Sequence, residues 1–211
     1  LPVGGMVTAF RHVAAGNPVL LLQNLGLEIY PQWHYAVLVG YDLPAGEAIL
    51  RSGETRRKQT PLKTLEHTWR RSGFWGVVIA APKGPVPLDT TISAWLEGGL
   101  ALERVGRIED AKVAYETAMA HWPDASAPRL ALANVLAELG DLQGAEAVLV
   151  DTRRKSPNDG IVLNNLADVQ LRQGKCELAR ATATAAVAAG GKYQDIARQT
   201  LASAESCKPN G

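Results

Sequence analysis

The residues of this chain that could do chemistry are one histidine at the start of an apolar run and two cysteines. His34 opens a run that ends in Gly40-Tyr41-Asp42. An imidazole at the end of a strand has a rigid base and an open cleft, where it can convert a nearby thiol to a thiolate at neutral pH. No cysteine precedes His34 in the sequence, and Cys176 and Cys207 follow much later. The histidine therefore has no thiol partner close to it in sequence.

The segment that must position His34 reads as rich in strands. The continuous apolar run 18–22 has the length of a buried strand, and the residues Asp42 to Gly46 have turn composition. Residues 26–32 read as a loop. In chain order, the pattern predicts a helix over 6–15, strands over 18–22, 35–39 and 48–51, a helix over 61–71 and a strand over 74–81.

Four stretches of residues 10–82 resemble a known family. They read GNPVLLLQNLG, WHYAVLVGYD, AILRSG and TWRRSGFWGVVIA, and they resemble the C-terminal half of the papain-like cysteine peptidase domain found in bacteriocin-processing, double-glycine peptidases. The resemblance implies an antiparallel papain-like half-domain over residues 1–82. It makes His34 the general base and places the nucleophilic cysteine on an earlier helix.

The resemblance leaves the third catalytic group open. The family carries it in an Asp-Pro pair on the strand after the histidine, and this chain has Ser52-Gly53 at that place. Ser52, or Asp42 at the end of the histidine strand, is therefore the candidate for orienting the His34 ring. Trp33 either lies beside the substrate and shields the histidine hydrogen bond from water, or belongs to the core.

The half of such a domain that would carry the nucleophile has no counterpart before His34. The sequence starts at Leu1 rather than at a methionine, which suggests a removed leader or a start within a longer protein. We therefore expect either the C-terminal part of a larger peptidase or a degenerate domain that has lost its catalytic half. In both cases, this chain alone is expected to be inactive as a hydrolase.

Two features separate this segment from the rest of the chain. Residues 83–90 contain two prolines and a glycine and read as a semi-rigid linker. Before them, the segment 51–71 is strongly basic, either as a guide for an acidic or extended substrate or as a solvated face. It contains seven basic residues against two glutamates: Arg51, Arg56, Arg57, Lys58, Lys63, Arg70 and Arg71 against Glu54 and Glu66.

An internal repeat occupies the C-terminal part of the chain. Gly106, Gly140 and Gly174 are equally spaced along the sequence, and alanines at 111, 145 and 179 keep the same spacing. This period, roughly 34 residues, is that of tetratricopeptide repeats, which residues 91–191 resemble. The resemblance implies an all-α superhelix of three repeats, with residues 192–206 as a capping helix, so that the fold class of the whole chain is α+β followed by all-α.

Arrays of this family bind segments of other proteins in a concave groove lined by the first helix of each repeat. A protein or peptide is thus the expected partner. Asn134 and Asn165 resemble the asparagine pair that holds a terminal carboxylate in some members, but the basic residues of that clamp are absent, so no carboxylate clamp is expected. The expected groove residues are Leu96, Leu100, Glu103, Leu130, Asn134, Asn164, Asn165 and Asp168.

The two cysteines fall at helix ends of this predicted array. Cys176 begins the second helix of the third repeat, and Cys207 follows the capping helix. Antiparallel packing of these helices brings the two ends together, so we expect a disulfide, with two free thiols as the alternative. A disulfide implies an oxidising compartment, either a bacterial periplasm or the outside of the cell.

Composition narrows the remaining classes of function. The chain has 211 residues, 46% of them hydrophobic, and a formal net charge of +1, which gives no general attraction to nucleic acid or to an anionic membrane. No apolar run approaches the ~20 residues needed to span a bilayer, and no cofactor or metal ligand set is expected. Two hypotheses remain: a protein-binding repeat module attached to part of a peptidase, or a non-catalytic repeat scaffold with a degenerate peptidase-like domain.

Overall fold

The computed structural model describes residues 3–208 and divides the chain into two compact units, residues 1–94 and 95–211. We call them the sheet unit and the helical unit. Leu1, Pro2 and residues 209–211, which belong to the predicted peptidase-like and repeat segments, lie outside the described residues. An antiparallel sheet is followed by a series of helices, as the sequence predicts.

The sheet unit contains one five-stranded antiparallel sheet and two helices. The strands lie in the order β4-β3-β2-β1-β5. Its elements are α1 (Met6–Ala14), β1 (Val19–Asn24), β2 (Trp33–Asp42), β3 (Glu47–Ser52), β4 (Thr55–Pro61), α2 (Leu62–Arg70) and β5 (Gly76–Val78).

Both helices of the sheet unit pack on the same face of the sheet. The buried core alternates along the strands with the period of two that a sheet with one covered face requires. The largest fully buried side chain is that of Trp69, whose indole N–H donates a hydrogen bond of 2.7 Å to the carbonyl of Trp75. The buried apolar core consists of Val3, Ala9, Val19, Leu21, Ala36, Leu38, Ala48, Leu50, Leu65, Trp69 and Val78.

The predicted strands differ from the structure in their bounds, and one strand of the sheet was not predicted. No element is predicted between residues 51 and 61, because these residues show no apolar pattern. The structure has the strand β4 there. β5 has only three residues of the predicted strand 74–81. It starts late because Phe74 has a φ of 58°, a left-handed conformation that no strand residue adopts.

The helical unit contains helical hairpins that follow the repeat period of the sequence. Gly106, Gly140 and Gly174 end the first helix of each hairpin with φ values of 75°, 85° and 75°, a conformation that glycine adopts without steric cost. The helices are α3 (Ile92–Arg104), α4 (Ile108–His121), α5 (Ser126–Glu138), α6 (Leu142–Lys155), α7 (Gly160–Arg172), α8 (Cys176–Ala189) and α9 (Gln194–Glu205).

Small residues allow the two helices of a hairpin to approach each other. The Tyr115 ring of α4 fills the space where Gly99 of α3 has no side chain, so a methyl group there would overlap the ring. The hydroxyl of Tyr115 donates a hydrogen bond to the Glu103 carboxylate. On the same helix pair, the indole N–H of Trp95 donates to the carbonyl of Ala114 at 2.7 Å.

The last two helices are joined covalently. Cys176 at the start of α8 and Cys207 just after α9 form a disulfide with a Cα–Cα distance of 5.6 Å, so the expected disulfide is present. Within residues 3–208, no helix has the length and apolar composition needed to cross a membrane.

Candidate functional site

His34 lies on the face of the sheet that packs against the helices, at the end of that face. Along β2, the side chains of Ala36 and Leu38 on this face are buried, while His34 is only partly covered. The residues on either side of it, Trp33 and Tyr35, point to the opposite face and are 55% and 57% exposed. The imidazole is thus held by a rigid strand at the rim of the core.

Ser52 supplies a hydrogen-bond partner for the imidazole. The Nε2 atom of His34 lies 2.7 Å from the Oγ atom of Ser52, the last residue of β3. The Nδ1 atom has no hydrogen-bond partner among the residues that the structure describes. When Nδ1 carries the lone pair, Nε2–H donates to the serine oxygen, and the ring can accept a proton at Nδ1. A neutral serine orients the ring but adds no negative charge to stabilise an imidazolium.

Gln23 of β1 completes a polar row at this end of the sheet. It is the pairing partner of His34 in the β1–β2 register, and it is buried. Its side-chain Nε2 donates a hydrogen bond of 2.7 Å to the Oγ1 of Thr68 on α2. Gln23 was not predicted from the sequence; a polar residue directly after the apolar run of β1 is the signal that could have found it.

The other proposed orienting residue lies far from the imidazole. Asp42 ends β2, eight residues after His34, which corresponds to roughly 25 Å along a strand. Its Oδ1 accepts a hydrogen bond of 3.0 Å from the Ala45 N–H in the following turn. The structure therefore brings Ser52 to His34 and holds Asp42 in a turn.

No thiol is available to the imidazole within this chain. The only two cysteines of the sequence are Cys176 and Cys207, and they are bonded to each other in the helical unit. The sheet unit thus contains an oriented histidine with an open ring nitrogen and no nucleophile of the predicted type.

The helical unit contains a second candidate site. A cavity of about 350 Å³ opens between the helices α5, α7 and α9, and we call it the groove cavity. It contains four of the eight predicted groove residues, namely Asn134, Asn164, Asn165 and Asp168, and it also contains Ala137, Val169, Arg172, Ile196 and Thr200.

An asparagine pair lies at the centre of the groove cavity. The Nδ2 of Asn165 donates a hydrogen bond of 3.1 Å to the Oδ1 of Asn134 on the neighbouring repeat. Both side-chain N–H groups of Asn134 remain available to a ligand, as do one N–H group and the side-chain oxygen of Asn165. The side-chain oxygen of Asn164 is buried without a hydrogen-bond partner in the described chain. Amide groups of this kind can both donate to and accept from the main chain of an extended peptide.

Charged groups border the asparagine pair. Arg172 donates to the carbonyl of Ala137 at 2.6 Å, which fixes the guanidinium at one side of the cavity. Asp168 is exposed and makes no ion pair with any described residue. The groove cavity therefore offers one cation, one anion and several neutral amides.

The remaining predicted groove residues do not line this cavity. Leu96 and Leu130 are half-buried and pack against the core of the helical unit. Glu103 accepts the Tyr115 hydroxyl, and Leu100 is exposed. Leu96, Leu130 and Glu103 are therefore engaged in packing or hydrogen bonding, and Leu100 is exposed outside the groove cavity.

Five residues of the groove cavity were not predicted from the sequence: Ala137, Val169, Arg172, Ile196 and Thr200. Arg172 lies four residues after the predicted groove residue Asp168 on α7, so the helical period could have found it. Ile196 and Thr200 lie one period after the buried Val162 and Leu166, and the period would have placed them in the core. The capping helix follows two glycines with positive φ at 190 and 191, and its phase differs from that of the repeats.

Comparison with known proteins identifies the helical unit. Residues 104–164 match the family model described as tetratricopeptide repeat. No curated protein matches the sequence. Residues 104–164 therefore contain tetratricopeptide repeats, as the spacing of the glycines and alanines predicts.

Several solved structures have the same fold. The TPR2B domain of yeast Sti1, in its complex with pHsp70, has a TM-score of 0.51 at 19% identity and covers 55% of this chain and 96% of that one. The Sgt2 TPR domain from Aspergillus fumigatus has a TM-score of 0.51 at 16% identity, covering 58% and 83%. PcrH from Pseudomonas aeruginosa has a TM-score of 0.51 at 17% identity, covering 61% and 98%. At such identities the likeness concerns the fold alone.

Proposed function

We propose that the helical unit binds an extended segment of a partner protein in the groove cavity. The observation that carries this proposal is the asparagine pair Asn134–Asn165, which presents free amide donors and an acceptor beside the exposed Asp168 and the fixed Arg172. A similar fold in yeast Sti1 forms a complex with pHsp70, which supports a protein segment as the occupant.

The chemistry of the groove cavity favours an internal segment over a carboxyl terminus. A terminal carboxylate needs several cations, and the places that supply them in carboxylate-binding members hold Leu130, Asp195 and Gln199 here. Asp195 is moreover paired with Arg198 at 3.0 Å. Neutral amides instead bind the main chain of a peptide, whatever its side chains.

The test starts from a displayed library of random peptides, selected on the full chain. The affinity of a selected peptide is then measured by fluorescence anisotropy for Asn134→Ala and Asn165→Ala. Each variant is expected to weaken binding at least about tenfold, because each removes an amide that bonds the peptide main chain.

The matched control is Asn158→Ala. Asn158 is exposed in the loop between α6 and α7 and does not line the groove cavity, so binding is expected to change less than about twofold. Equal losses in all three variants, or unchanged binding in all three, would exclude the groove cavity as the binding site.

We infer as a second function that residues 1–82 are related to papain-like cysteine peptidases and that this chain alone does not cleave peptides. The hydrogen bond between His34 Nε2 and Ser52 Oγ, with Nδ1 open, supports the relation. The alternative is a non-catalytic scaffold whose sheet unit is a degenerate form of the domain. The sequence encoded upstream of Leu1 distinguishes the two alternatives. A cysteine at the start of a helix there would support the peptidase, and its absence would support the scaffold.

The imidazole itself can be tested in the present chain. Nitrogen NMR of the His34 ring is expected to show a hydrogen bond at Nε2 in the wild type that is lost in Ser52→Ala, because the serine hydroxyl either donates to this nitrogen or accepts from it. Where a cysteine does precede Leu1, His34→Ala is expected to abolish its labelling by an iodoacetamide probe at neutral pH. Unchanged labelling would remove His34 from the mechanism.

The compartment follows from the disulfide. We propose that the chain works in a bacterial periplasm or outside the cell, where the bond between Cys176 and Cys207 is maintained. Thiol titration of the denatured, unreduced protein purified from its native compartment is expected to find no free thiol; two reactive thiols would contradict this localisation.

A further inference from the structure

The sheet unit has a free edge that none of the functions above uses. β4 is the last strand of the sheet and pairs only with β3 in the part of the chain that the structure describes. Along β4, every residue except Thr60 is exposed. A free strand edge presents main-chain N–H and C=O groups to a further strand.

The register of β3 and β4 shows which groups are free. The N–H of Leu62 donates to the carbonyl of Gly46 at 2.8 Å, next to the pairing of Glu47 with Pro61. Glu47 and Pro61 are therefore a non-hydrogen-bonded pair of the antiparallel ladder, in which the main-chain groups of the two residues point away from each other. By alternation, the N–H and C=O of Gln59 also point away from β3 and can bond a new strand.

The side chains along this edge are strongly basic. Arg56, Arg57 and Lys58 follow one another, and none of them forms an ion pair with any residue in the described range 3–208. Successive side chains of a strand point to opposite faces, so the positive charge lies on both faces of the edge. Cross-strand pairs of opposite charge stabilise strand pairing, whereas like charges oppose it.

A cavity lies beside the edge on the face that the helices leave open. It has a volume of about 490 Å³, and Arg57, Gln59 and Ile49 contribute to it together with Tyr41, Asp42, Leu43 and Pro44. Gln59 is held there by a hydrogen bond of 2.7 Å from its Nε2 to the Glu47 carboxylate. An apolar side chain of an added strand can enter this cavity.

We propose that the edge of β4 binds an extended acidic segment of a partner protein, which pairs with β4 as a sixth strand of the sheet. The Gln59 main chain supplies the central hydrogen bonds, and the three consecutive cations select glutamate or aspartate at adjacent positions of the partner. A second copy of this chain is excluded as the occupant because two β4 edges would bring these cations together.

The test uses the full chain and a short fluorescein-labelled peptide of β-branched residues with adjacent glutamates at its centre. Two further peptides are compared with it, one with lysines in place of the glutamates and one with prolines at alternate positions. We expect the glutamate peptide to bind at least about tenfold more tightly than either, since lysine reverses the charge and proline removes the main-chain donors.

Charge reversal is tested with a matched control. The variant Arg56→Glu/Arg57→Glu/Lys58→Glu is expected to lose at least about tenfold in affinity for the glutamate peptide. The variant Arg153→Glu/Arg154→Glu/Lys155→Glu makes the same change of charge at the exposed end of α6 and is expected to keep its affinity within about twofold. Equal losses in the two variants would overturn the proposal.

The main-chain contact is tested separately from the charge. Gln59→Pro removes the outward N–H and leaves the charge unchanged, so an equal loss of about tenfold is expected. In the wild type, the peptide is expected to slow hydrogen exchange of the Gln59 amide, a measurement that does not depend on how the proline variant folds. The proposal would be overturned if the Gln59 amide were not protected. It would also be overturned if the proline-containing peptide or a double-stranded oligonucleotide bound as tightly as the glutamate peptide, since the edge would then be a non-specific cationic surface.

Discussion

The two units of this protein bury equivalent tryptophans in different kinds of structure. Trp69 in the sheet unit donates its indole N–H to the Trp75 carbonyl at 2.7 Å, and Trp95 in the helical unit donates to the Ala114 carbonyl at the same distance. Trp69 lies in one core built from strands far apart in sequence. Trp95 lies in an array in which each helix packs on its neighbours in the chain.

This difference decides how far a local change spreads. Each strand of the sheet unit is paired in register with others, so the loss of one core side chain affects the whole unit. In a repeat array, stability is approximately the sum of the repeats and their interfaces, so a loss stays near its origin.

Trp69→Ala and Trp95→Ala form the first matched pair. Each is expected to cost about 3–5 kcal/mol of local stability, because each removes a buried ring and a satisfied N–H donor. Hydrogen exchange followed by mass spectrometry is expected to show raised exchange throughout β1 to β5 in the first variant. In the second, raised exchange should be confined to α3 and α4. Loss of protection over α5 to α8 in Trp95→Ala would show that the array is as cooperative as the sheet.

Removal of the disulfide is expected to have the next largest effect. The bond closes a loop with a sequence separation of 31, for which loop entropy gives about 3–4 kcal/mol. α9 packs on α7 and α8 but buries only Ala197 and Ala204, so the apolar burial that holds it is small. In Cys176→Ser/Cys207→Ser, we expect raised hydrogen exchange in α9 and weaker binding of the selected peptide, because Ile196 and Thr200 line the groove cavity. Protection of α9 equal to that of the wild type would contradict this role.

Adjacent glycines of α3 provide a smaller and sharper test. Gly99→Ala forces the new methyl against the Tyr115 ring and is expected to cost about 1–3 kcal/mol. Gly98 has open space around its Cα, so Gly98→Ala is expected to stabilise the helix by up to about 1 kcal/mol. Urea unfolding measures both variants. Equal effects of the two substitutions would show that the close contact with Tyr115 does not limit packing.

The two units should also differ in their response to pH. Burial lowers the pKa of His12 in α1, with a partial opposite effect from Asp89, so the unfolded chain binds a proton more readily and the sheet unit loses stability as pH falls below about 6.5. Burial, and then the Glu103 carboxylate, raise the pKa of Tyr115 above its ordinary value. The helical unit therefore loses stability as pH rises above about 10, where only the unfolded chain ionises.

Urea unfolding of each unit at several pH values checks this, with two variants as controls. Tyr115→Phe is expected to remove the alkaline loss in the helical unit and leave the acidic loss in the sheet unit unchanged. His12→Gln is expected to do the reverse. An alkaline loss that persists in Tyr115→Phe would assign it to another group.

The sequence predicts the helical unit well because its determinants are local. Glycines at 106, 140 and 174 end helices wherever they recur, and the small residue at 99 marks where two helices meet. The period also relates Asn134 to Asp168, whereas Asn165 is singled out only by its resemblance to the asparagine pair of other repeat proteins. It fails at Ile196 and Thr200, where Gly190 and Gly191 change the phase of the last helix.

The structure of the sheet unit is harder to predict from the sequence because it depends on contacts between segments far apart in the chain. β4 has a polar sequence on both faces, and only its pairing with β3 makes it a strand. The strand order and the row Gln23–His34–Ser52 depend on which strands become neighbours, which no single segment encodes. The pairing of Ser52 rather than Asp42 with His34 likewise needs the register of the sheet.

The central claim is that an extended peptide lies in the groove cavity, and a crystal structure of the full chain with a selected peptide tests it most directly. We predict an extended main chain running across α5 and α7, with its amides within hydrogen-bond distance of Asn134 and Asn165. The claim would be contradicted by a peptide that lies on another surface, or by one that makes no contact with Asn134 and Asn165.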